Sequence, residues 1–208
     1  MDIMKLNNKV KIHYSFYIFF LLCIFTGNTI NFLIFTLSIL FHEIFHVLMG
    51  LILKVKTNSI ELYCLGGFCD INLNNINPVK KLVISLSGIL FNVIVIILIK
   101  LDIINTFYKD IILNYNLLLI IFNLIPIYPL DGFNILESIL ELIYKEKYKK
   151  SINYSSYISV IFLVLMFVLS IYFQSGCLVI AFIFLGIKNI IYIKNYNLVY
   201  LKKIAGKL

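Results

Sequence analysis

Long apolar runs separated by short polar segments are the main pattern of this chain. A bilayer core of about 30 Å takes about 20 helical residues. The pattern therefore predicts about six transmembrane helices, at residues 14–26, 31–53, 82–101, 111–125, 152–173 and 177–193. The first and fourth runs are short, so their ends are the least sharply marked. The predicted fold class is an all-α polytopic membrane protein.

The segment between the second and third runs has a different pattern. Apolar and polar residues alternate over residues 60–64, and the pair Gly66 and Gly67 follows. Alternation with period two is typical of a strand, so we predict a short re-entrant or β-hairpin-like loop after the second helix. Glycine allows close backbone approach, which would let a substrate strand pair with this edge. An ordinary turn between helices fits the pattern equally well.

Composition and charge agree with a membrane protein. The 208 residues are 62% hydrophobic and 13% charged, against about 45–50% and about 25% in soluble domains. All 18 basic residues are lysines, and 16 of them fall on one side of the six predicted spans. Because lysine-rich loops stay in the cytoplasm, both termini are predicted to be cytoplasmic. The lysines are spread among loops, which excludes a nucleic-acid partner.

The second apolar run contains the triplet His42, Glu43 and His46 and no other charged residue. Residues four apart share one face of a helix, so both imidazoles can bind one Zn²⁺ while Glu43 flanks it. The alternative is a pair of histidines satisfied by helix packing. An ionisable group at this depth costs about 2.5–3.5 kcal/mol or more, which favours the metal site.

The fourth run ends in the sequence NLIPIYPLDG, residues 123–132. Pro126 and Pro129 each remove a backbone donor and disfavour helix in the residue before them, so the helix breaks here. Irregular backbone at membrane depth is tolerated where it lines a wet cavity or is buried in protein. A catalytic zinc has three protein ligands, and Asp131 is the best candidate for the third. The alternative is a simple loop aspartate after a membrane exit.

Five other residues compete for the role of third ligand. His13 lies among lysines at the entry to the first run, and Asp102 and Asp110 lie on the opposite side of the membrane. Glu61 and Asp70 are on the correct side, without a helix-breaking motif to place them. The context of the 123–132 motif therefore favours its aspartate.

A fourth motif lies in the third run, where Ser85, Gly88 and Asn92 are spaced three and then four residues apart. This spacing puts a small and polar stripe on one helix face. Such a stripe lets helices pack closely. Taken alone, it predicts a helix contact.

Together these motifs resemble those of the site-2 protease family of intramembrane zinc metalloproteases. The resemblance rests on HEIFH at 42–46, NLIPIYPLDG at 123–132, the glycine pair and SLSGILFN at 85–92. It covers residues 31–132. The short length, six predicted spans and absence of an inserted PDZ module make the chain most similar to the stage IV sporulation protease, which releases a pro-sigma factor.

The resemblance implies a role for each motif residue. It makes Glu43 the general base on the water that the metal activates. The implied ligands of one Zn²⁺ are His42, His46 and Asp131, and the implied substrate-binding residues are Asn123, Gly66 and Gly67. A substrate helix must unwind before cleavage, and the last three residues would replace the hydrogen bonds that it loses.

The chain departs from the family pattern at four positions. Phe45 stands where a small residue is common, Ile89 where a proline is, and Phe133 and Asn134 where a glycine and an arginine are. None of them replaces an implied ligand or the base. We expect a single membrane-embedded protease domain over 1–208, with C-terminal helices at 152–193 and no C-terminal nucleotide-sensing domain.

The predicted function is intramembrane zinc endopeptidase, acting on a membrane-tethered substrate such as a pro-sigma factor during sporulation. Abundant Ile, Asn, Lys, Tyr and Phe suggest an AT-rich gene, as in a low-GC bacterium. The predicted location is therefore a bacterial cell membrane. Expected partners besides the substrate are the lipid bilayer, membrane-bound inhibitor or regulator proteins, and a second copy of the chain.

Two alternatives remain open. One is a non-proteolytic zinc-binding protein, either a metal transporter or a regulatory pseudoprotease. A transporter is expected to spread further ionisable residues through its spans as a relay, and this chain does not. The other alternative keeps the protease and changes its substrate to an anti-sigma factor or to signal-peptide remnants.

Overall fold

A computed structural model describes residues 9–55, 57–63, 66–71, 76–144 and 148–205. The chain divides into two compact units, residues 1–122 and 123–208. The first contains strand β1 (Lys9–Ile12), helices α1 (Tyr14–Phe25) and α2 (Thr29–Ile52), strands β2 (Thr57–Tyr63) and β3 (Gly66–Ile71), helix α3 (Pro78–Lys100) and nearly all of α4 (Lys109–Asn123). The second contains α5 (Asp131–Tyr144), α6 (Tyr148–Tyr172) and α7 (Gly176–Ala205).

Helix α2 has a wholly apolar exposed face and carries polar side chains on its buried face. Large apolar side chains three or four residues apart are exposed along its whole length, at Ile30, Leu33, Leu37, Phe41, Ile44, Leu48 and Ile52. The opposite face buries Ser38, His42, Glu43 and His46. A helix in a soluble protein exposes polar residues, so the apolar exposed face of α2 fits a helix surrounded by lipid tails.

Helix α3 packs against α2 and starts at a defined cap. The Asn77 side chain accepts a hydrogen bond from the Val79 backbone N–H at 2.9 Å, and Pro78 occupies the first helical turn. Both features favour a helix start. Its buried face includes Ser85, Ser87, Gly88 and Asn92. The small and polar stripe predicted as a helix contact therefore does lie in the first unit's interior.

The predicted hairpin after the second helix is confirmed. Strands β2 and β3 are antiparallel, with Tyr63 opposite Gly66 and Leu62 opposite Gly67. The turn at residues 64–65 lies outside the described residues. A third strand, β1, pairs in parallel with β2, so the strand order is β1, β2, β3. Strand β1 was not predicted from the sequence, because its four residues include two lysines and lie just before the first apolar run.

Helix α4 ends at Asn123, as the two following prolines predict. It packs on α2 through Leu119, which forms an apolar cluster with Ile39. Asn116 is 1% exposed; its Nδ2 donates to the Ile112 carbonyl at 2.8 Å and approaches Ser38 Oγ at 3.5 Å.

The second unit holds a helix that the sequence pattern did not predict. Helix α5 has only 14 residues and carries Glu137 and Glu141, both buried. The segment is shorter than the bilayer core and contains two glutamates, so the pattern of apolar runs does not mark it as a span. Helices α6 and α7 correspond to the predicted spans 152–173 and 177–193, and α7 is longer than predicted.

Three helical segments are long and apolar enough to cross a membrane among the residues that the structure describes: Thr29–Ile52, Pro78–Lys100 and Tyr154–Tyr172. Helices α1 and α4, at 12 and 15 residues, measure only about 18–23 Å at 1.5 Å per residue. The helical membrane fold is thus present, and the count of six spans stays a prediction.

Candidate metal and active site

The two histidines of α2 converge in the interior of the first unit. His42 is 2% exposed and His46 is 4% exposed, and their Nε2 atoms are 3.1 Å apart. Two nitrogens bound to one tetrahedral zinc at 2.0–2.1 Å lie about 3.3 Å apart. The separation therefore fits two ligands of a single zinc ion.

The far side of the His46 ring is fixed by α3. Its Nδ1 lies 2.8 Å from the Ile84 carbonyl oxygen and 3.2 Å from Ser87 Oγ. Ser87 Oγ also donates to the same carbonyl at 2.6 Å. A carbonyl only accepts, so His46 Nδ1 carries the proton and Nε2 holds a lone pair. This is the tautomer that a metal bound at Nε2 requires.

The far side of the His42 ring faces Asn92. The Asn92 side chain is fully buried, and its Nδ2 lies 3.1 Å from His42 Nδ1. Asn92 Oδ1 is also buried and has no hydrogen-bond partner. One end of this amide is thus paired with a candidate metal ligand while the other is unsatisfied.

Gly88 is the point of closest approach between α3 and the histidines. A Cβ atom added there would lie 2.5 Å from His46 Nε2 and 2.7 Å from both Nε2 and Cε1 of His42. A methyl group would therefore occupy the space beside both Nε2 atoms. The pocket that glycine leaves lies against the two atoms proposed to bind metal.

Glu43 follows His42 directly and is buried, at 7% exposure. It shares the buried face of α2 with both histidines. Phe45, which departs from the family pattern, is accommodated by the neighbouring helix, because its ring packs on Phe91 of α3 at a centroid distance of 4.6 Å. The bulky side chain is thus packed on α3, while His42 and His46 lie on the buried face of α2.

In the second unit, Asp131 lies in the first turn of α5 and is half-buried. A carboxylate at a helix N-terminus is favoured by the unpaired N–H groups and the helix dipole. The next residue, Gly132, is buried against the chain before it. A Cβ there would collide with the carbonyl oxygens of Leu124 and Ile125. Only glycine fits after Asp131, so this glycine allows α5 to start where it does.

The irregular segment before Asp131 is held by the last two helices. The Tyr128 backbone N–H donates to Ser159 Oγ of α6 at 3.1 Å. Asn189 Nδ2 of α7 donates to the same oxygen, and the Tyr128 and Tyr192 rings stack at 4.2 Å. Side chains thus replace part of the backbone hydrogen bonding that the prolines remove, as irregular backbone in a membrane requires.

The other predicted site residues occupy defined positions. Asn123 is the last residue of α4 and is half-buried. Gly66 and Gly67 open strand β3. Among the competing ligands, His13 is exposed and Asp102 pairs with Lys109 at 3.8 Å. The side chains of Glu61 and Asp70 lie outside the described residues.

Sequence reasoning missed the contribution of α3 to this site. Ser87, Gly88 and Asn92 all lie against the histidine rings. The spacing of Ser85, Gly88 and Asn92 had predicted only a helix contact, and Ser87 was not part of that pattern. The signal was a polar stripe inside an apolar run, the same argument that singled out the histidines. The stripe could not be assigned to the histidine site, because a single sequence does not show which helices pack together.

The outward-apolar helices and the buried histidine pair are those of a helical membrane protein with a candidate metal site. The chain belongs to peptidase family M50, whose model matches residues 30–109 and 98–166. This confirms the predicted protease family. The family implies zinc, and the histidine geometry fits it.

Proteins similar to this chain include one known from its sequence and one of known structure. A protein from Synechocystis sp. (strain ATCC 27184 / PCC 6803 / Kazusa), named as a candidate zinc metalloprotease, is 31% identical over 110 residues, which is 50% of this chain and 29% of that protein. The chain thus spans under a third of that relative. The Site-2 Protease from Methanocaldococcus jannaschii matches with a TM-score of 0.70 and 24% identity over 91% of both chains, which confirms the predicted fold class.

Proposed function

We propose that this protein is an intramembrane zinc endopeptidase that cleaves a membrane-tethered protein. The observation that carries the proposal is the 3.1 Å separation of two buried Nε2 atoms on a helix whose outer face is apolar throughout. Paired imidazoles in such a segment are costly without a partner, and a metal ion is the partner that their geometry fits.

The proposed zinc ligands are Nε2 of His42, Nε2 of His46 and a carboxylate oxygen of Asp131. The tautomer of His46 and the pocket left by Gly88 support the first two. Asp131 is supported by its motif and by the fixed, half-buried start of α5. Three protein ligands leave a fourth position open, which is typical of a catalytic zinc.

Zinc, when bound, lowers the pKa of a coordinated water toward about 7 and polarises the substrate carbonyl. Glu43 is the proposed general base: its carboxylate takes a proton from the attacking water and returns it to the leaving amine as the peptide C–N bond breaks. The burial of Glu43 beside His42 supports this role, since a base must lie within hydrogen-bond reach of the water.

Strand β3 and Asn123 are proposed to hold the substrate. In the described sheet β3 is an edge strand, and we propose that a substrate strand adds to its outer side. Gly66 and Gly67 at its start would let a substrate backbone come close. The Asn123 amide, beside the break in α4, can donate and accept for an unwound peptide.

The proposed substrate is a pro-sigma factor processed during sporulation, and the proposed location is a bacterial cell membrane with both termini in the cytoplasm. The lysine distribution supports this orientation. Residues 1–208 are proposed to act as one protease domain. Membrane-bound inhibitor or regulator proteins and a second copy of the chain are its proposed further partners.

The direct test is cleavage in reconstituted liposomes. Purified protein is expected to cleave a membrane-tethered pro-sigma factor, and removal of zinc with a chelator is expected to stop cleavage until zinc is restored. Product size and N-terminal sequence report the scissile bond. A single-span anti-sigma factor and a signal-peptide remnant are assayed in parallel. If only one of these two proteins is cleaved, it replaces the pro-sigma factor as the proposed substrate. If zinc-loaded protein cleaves none of the three, the proposed protease activity is contradicted.

Asp131→Ala is expected to reduce the zinc content from about one ion per chain to a small fraction. The loss follows because two imidazoles then remain to hold the ion. Metal analysis after dialysis measures it, and Asp102→Ala is the control because Asp102 is exposed and ion-paired with Lys109. Full zinc content in Asp131→Ala would remove this residue from the ligand set.

A further inference from the structure

We propose that Asn92 is a positioning residue that holds His42 in its metal-binding tautomer by accepting a hydrogen bond from the ring. The inference rests on the proposed function, because it concerns how one ligand of that zinc site is oriented. It begins from two facts about one buried amide: Asn92 Nδ2 lies 3.1 Å from His42 Nδ1, and Asn92 Oδ1 has no hydrogen-bond partner.

The amide orientation and the His42 tautomer determine each other. With Nδ2 toward the ring, the amide donates to His42 Nδ1, so the ring proton lies on Nε2 and points to His46 Nε2, 3.1 Å away. In that tautomer His42 Nε2 has no lone pair for a cation. With Oδ1 toward the ring, the proton lies on Nδ1 and Nε2 is open.

His46 cannot make the same change, because its Nδ1 faces the Ile84 carbonyl, which only accepts. The two histidines of the pair are therefore held differently by α3. His46 is set by a backbone oxygen, and His42 is set by a side chain that can present either an oxygen or a nitrogen. Metal binding at His42 Nε2 puts the ring proton on Nδ1. This selects the orientation with Asn92 Oδ1 toward the ring, since a buried N–H without an acceptor would be costly.

The change conserves protons. A half-turn of the amide exchanges Oδ1 and Nδ2, and the ring proton moves from Nε2 to Nδ1, with no proton gained or lost. An amide oxygen behind a ligating histidine fixes the ring and raises its basicity. Loss of such a partner typically weakens metal binding about 10–100-fold.

The test compares Asn92→Leu with Asn92→Asp. Asn92→Leu removes both ends of the amide, and we expect zinc affinity, measured by competition with a chromophoric chelator, to fall about 10–100-fold. Asn92→Asp keeps an oxygen toward the ring and lacks the donor, so we expect it to retain affinity within about threefold of the wild type or to bind more tightly.

Asn116→Leu is the matched control. Asn116 is another buried asparagine on a neighbouring helix, and its Oδ1 also lacks a partner. Its hydrogen bonds are with Ser38, one helical turn before His42, and with the Ile112 carbonyl, and not with the histidine rings. We expect Asn116→Leu to lower the thermal unfolding temperature and to leave zinc affinity unchanged. An equal loss of affinity in both leucine variants would make Asn92 a packing residue and overturn the proposal.

A measurement on the wild type covers the case in which Asn92→Leu does not fold. ¹⁵N NMR of zinc-loaded protein labelled at histidine is expected to show a protonated Nδ1 on His42, coupled to a directly attached hydrogen. An unprotonated Nδ1 on His42, or an Asn92→Asp variant whose zinc affinity is as low as that of Asn92→Leu, overturns the role of Asn92 and leaves the proposed function standing. A wild type that binds no zinc overturns the proposed function instead, so the two failures are distinguishable.

Discussion

Glu43→Gln is expected to slow peptide-bond cleavage severely while zinc stays bound. Glutamine matches the size of glutamate and preserves the packing of the buried α2 face, but its amide does not accept a proton at neutral pH. His42 and His46 keep their partners on α3. General-base catalysis contributes about 10²–10⁴-fold, so the cleavage rate should fall by at least about 100-fold. Initial rates in liposomes and zinc content of the same samples measure both effects.

Glu137→Gln provides a matched control for that experiment. Glu137 is also a buried helical carboxylate, at 4% exposure, and its Oε1 accepts from the Tyr192 hydroxyl at 3.4 Å. Glutamine can still accept that bond, so cleavage should continue. Wild-type cleavage by Glu43→Gln would reject the proposed base. Loss of zinc from Glu43→Gln would instead assign Glu43 a role in holding the metal.

Gly88→Ala is expected to eliminate zinc binding and cleavage together. The added methyl would lie 2.5 Å from His46 Nε2 and 2.7 Å from His42 Nε2, both well inside van der Waals contact. Either the rings turn away, which separates the two nitrogens, or α3 moves outward, which takes the Ile84 carbonyl and Asn92 away from the rings. Zinc content should fall to a small fraction of the wild-type value, as determined by metal analysis of purified protein.

Gly186→Ala is the control, because a methyl there would meet only Leu163 side-chain carbons, at 3.7 and 3.8 Å. Gly186 also lies in an apolar helix, so the two variants differ mainly in what the methyl contacts. We expect Gly186→Ala to keep both zinc and cleavage. Retained zinc in Gly88→Ala would show that the α2 and α3 backbones can separate without opening the site.

The sequence predicted the parts of the site that a single segment can specify. His42 and His46 follow from helix periodicity, since residues four apart must share a face. The break after Asn123 follows from Pro126 and Pro129, which cannot continue a helix. The hairpin follows from alternation before the glycine pair. In each case the physical cause is local in the chain.

Contacts between segments distant in sequence were not predictable in the same way. The Asn92 to His42 and Gly88 to His46 contacts depend on how α3 is rotated and shifted along α2, and one sequence gives no register between helices. Strand β1 and helix α5 were missed for a related reason. β1 depends on pairing with β2, far along the chain, and α5 is too short and too acidic to resemble a membrane span.

The glycine contact also limits how the first unit can open to admit a substrate. The His42 and His46 rings lie directly against the α3 backbone at Gly88, and the His46 ring is tied to the carbonyl of Ile84. Sliding or rotating α3 along α2 would break that bond or press neighbouring side chains into the imidazoles. In the proposed protease, lateral entry of a peptide therefore requires these two helices to move as a pair, which assigns the opening motion to elements outside the pair.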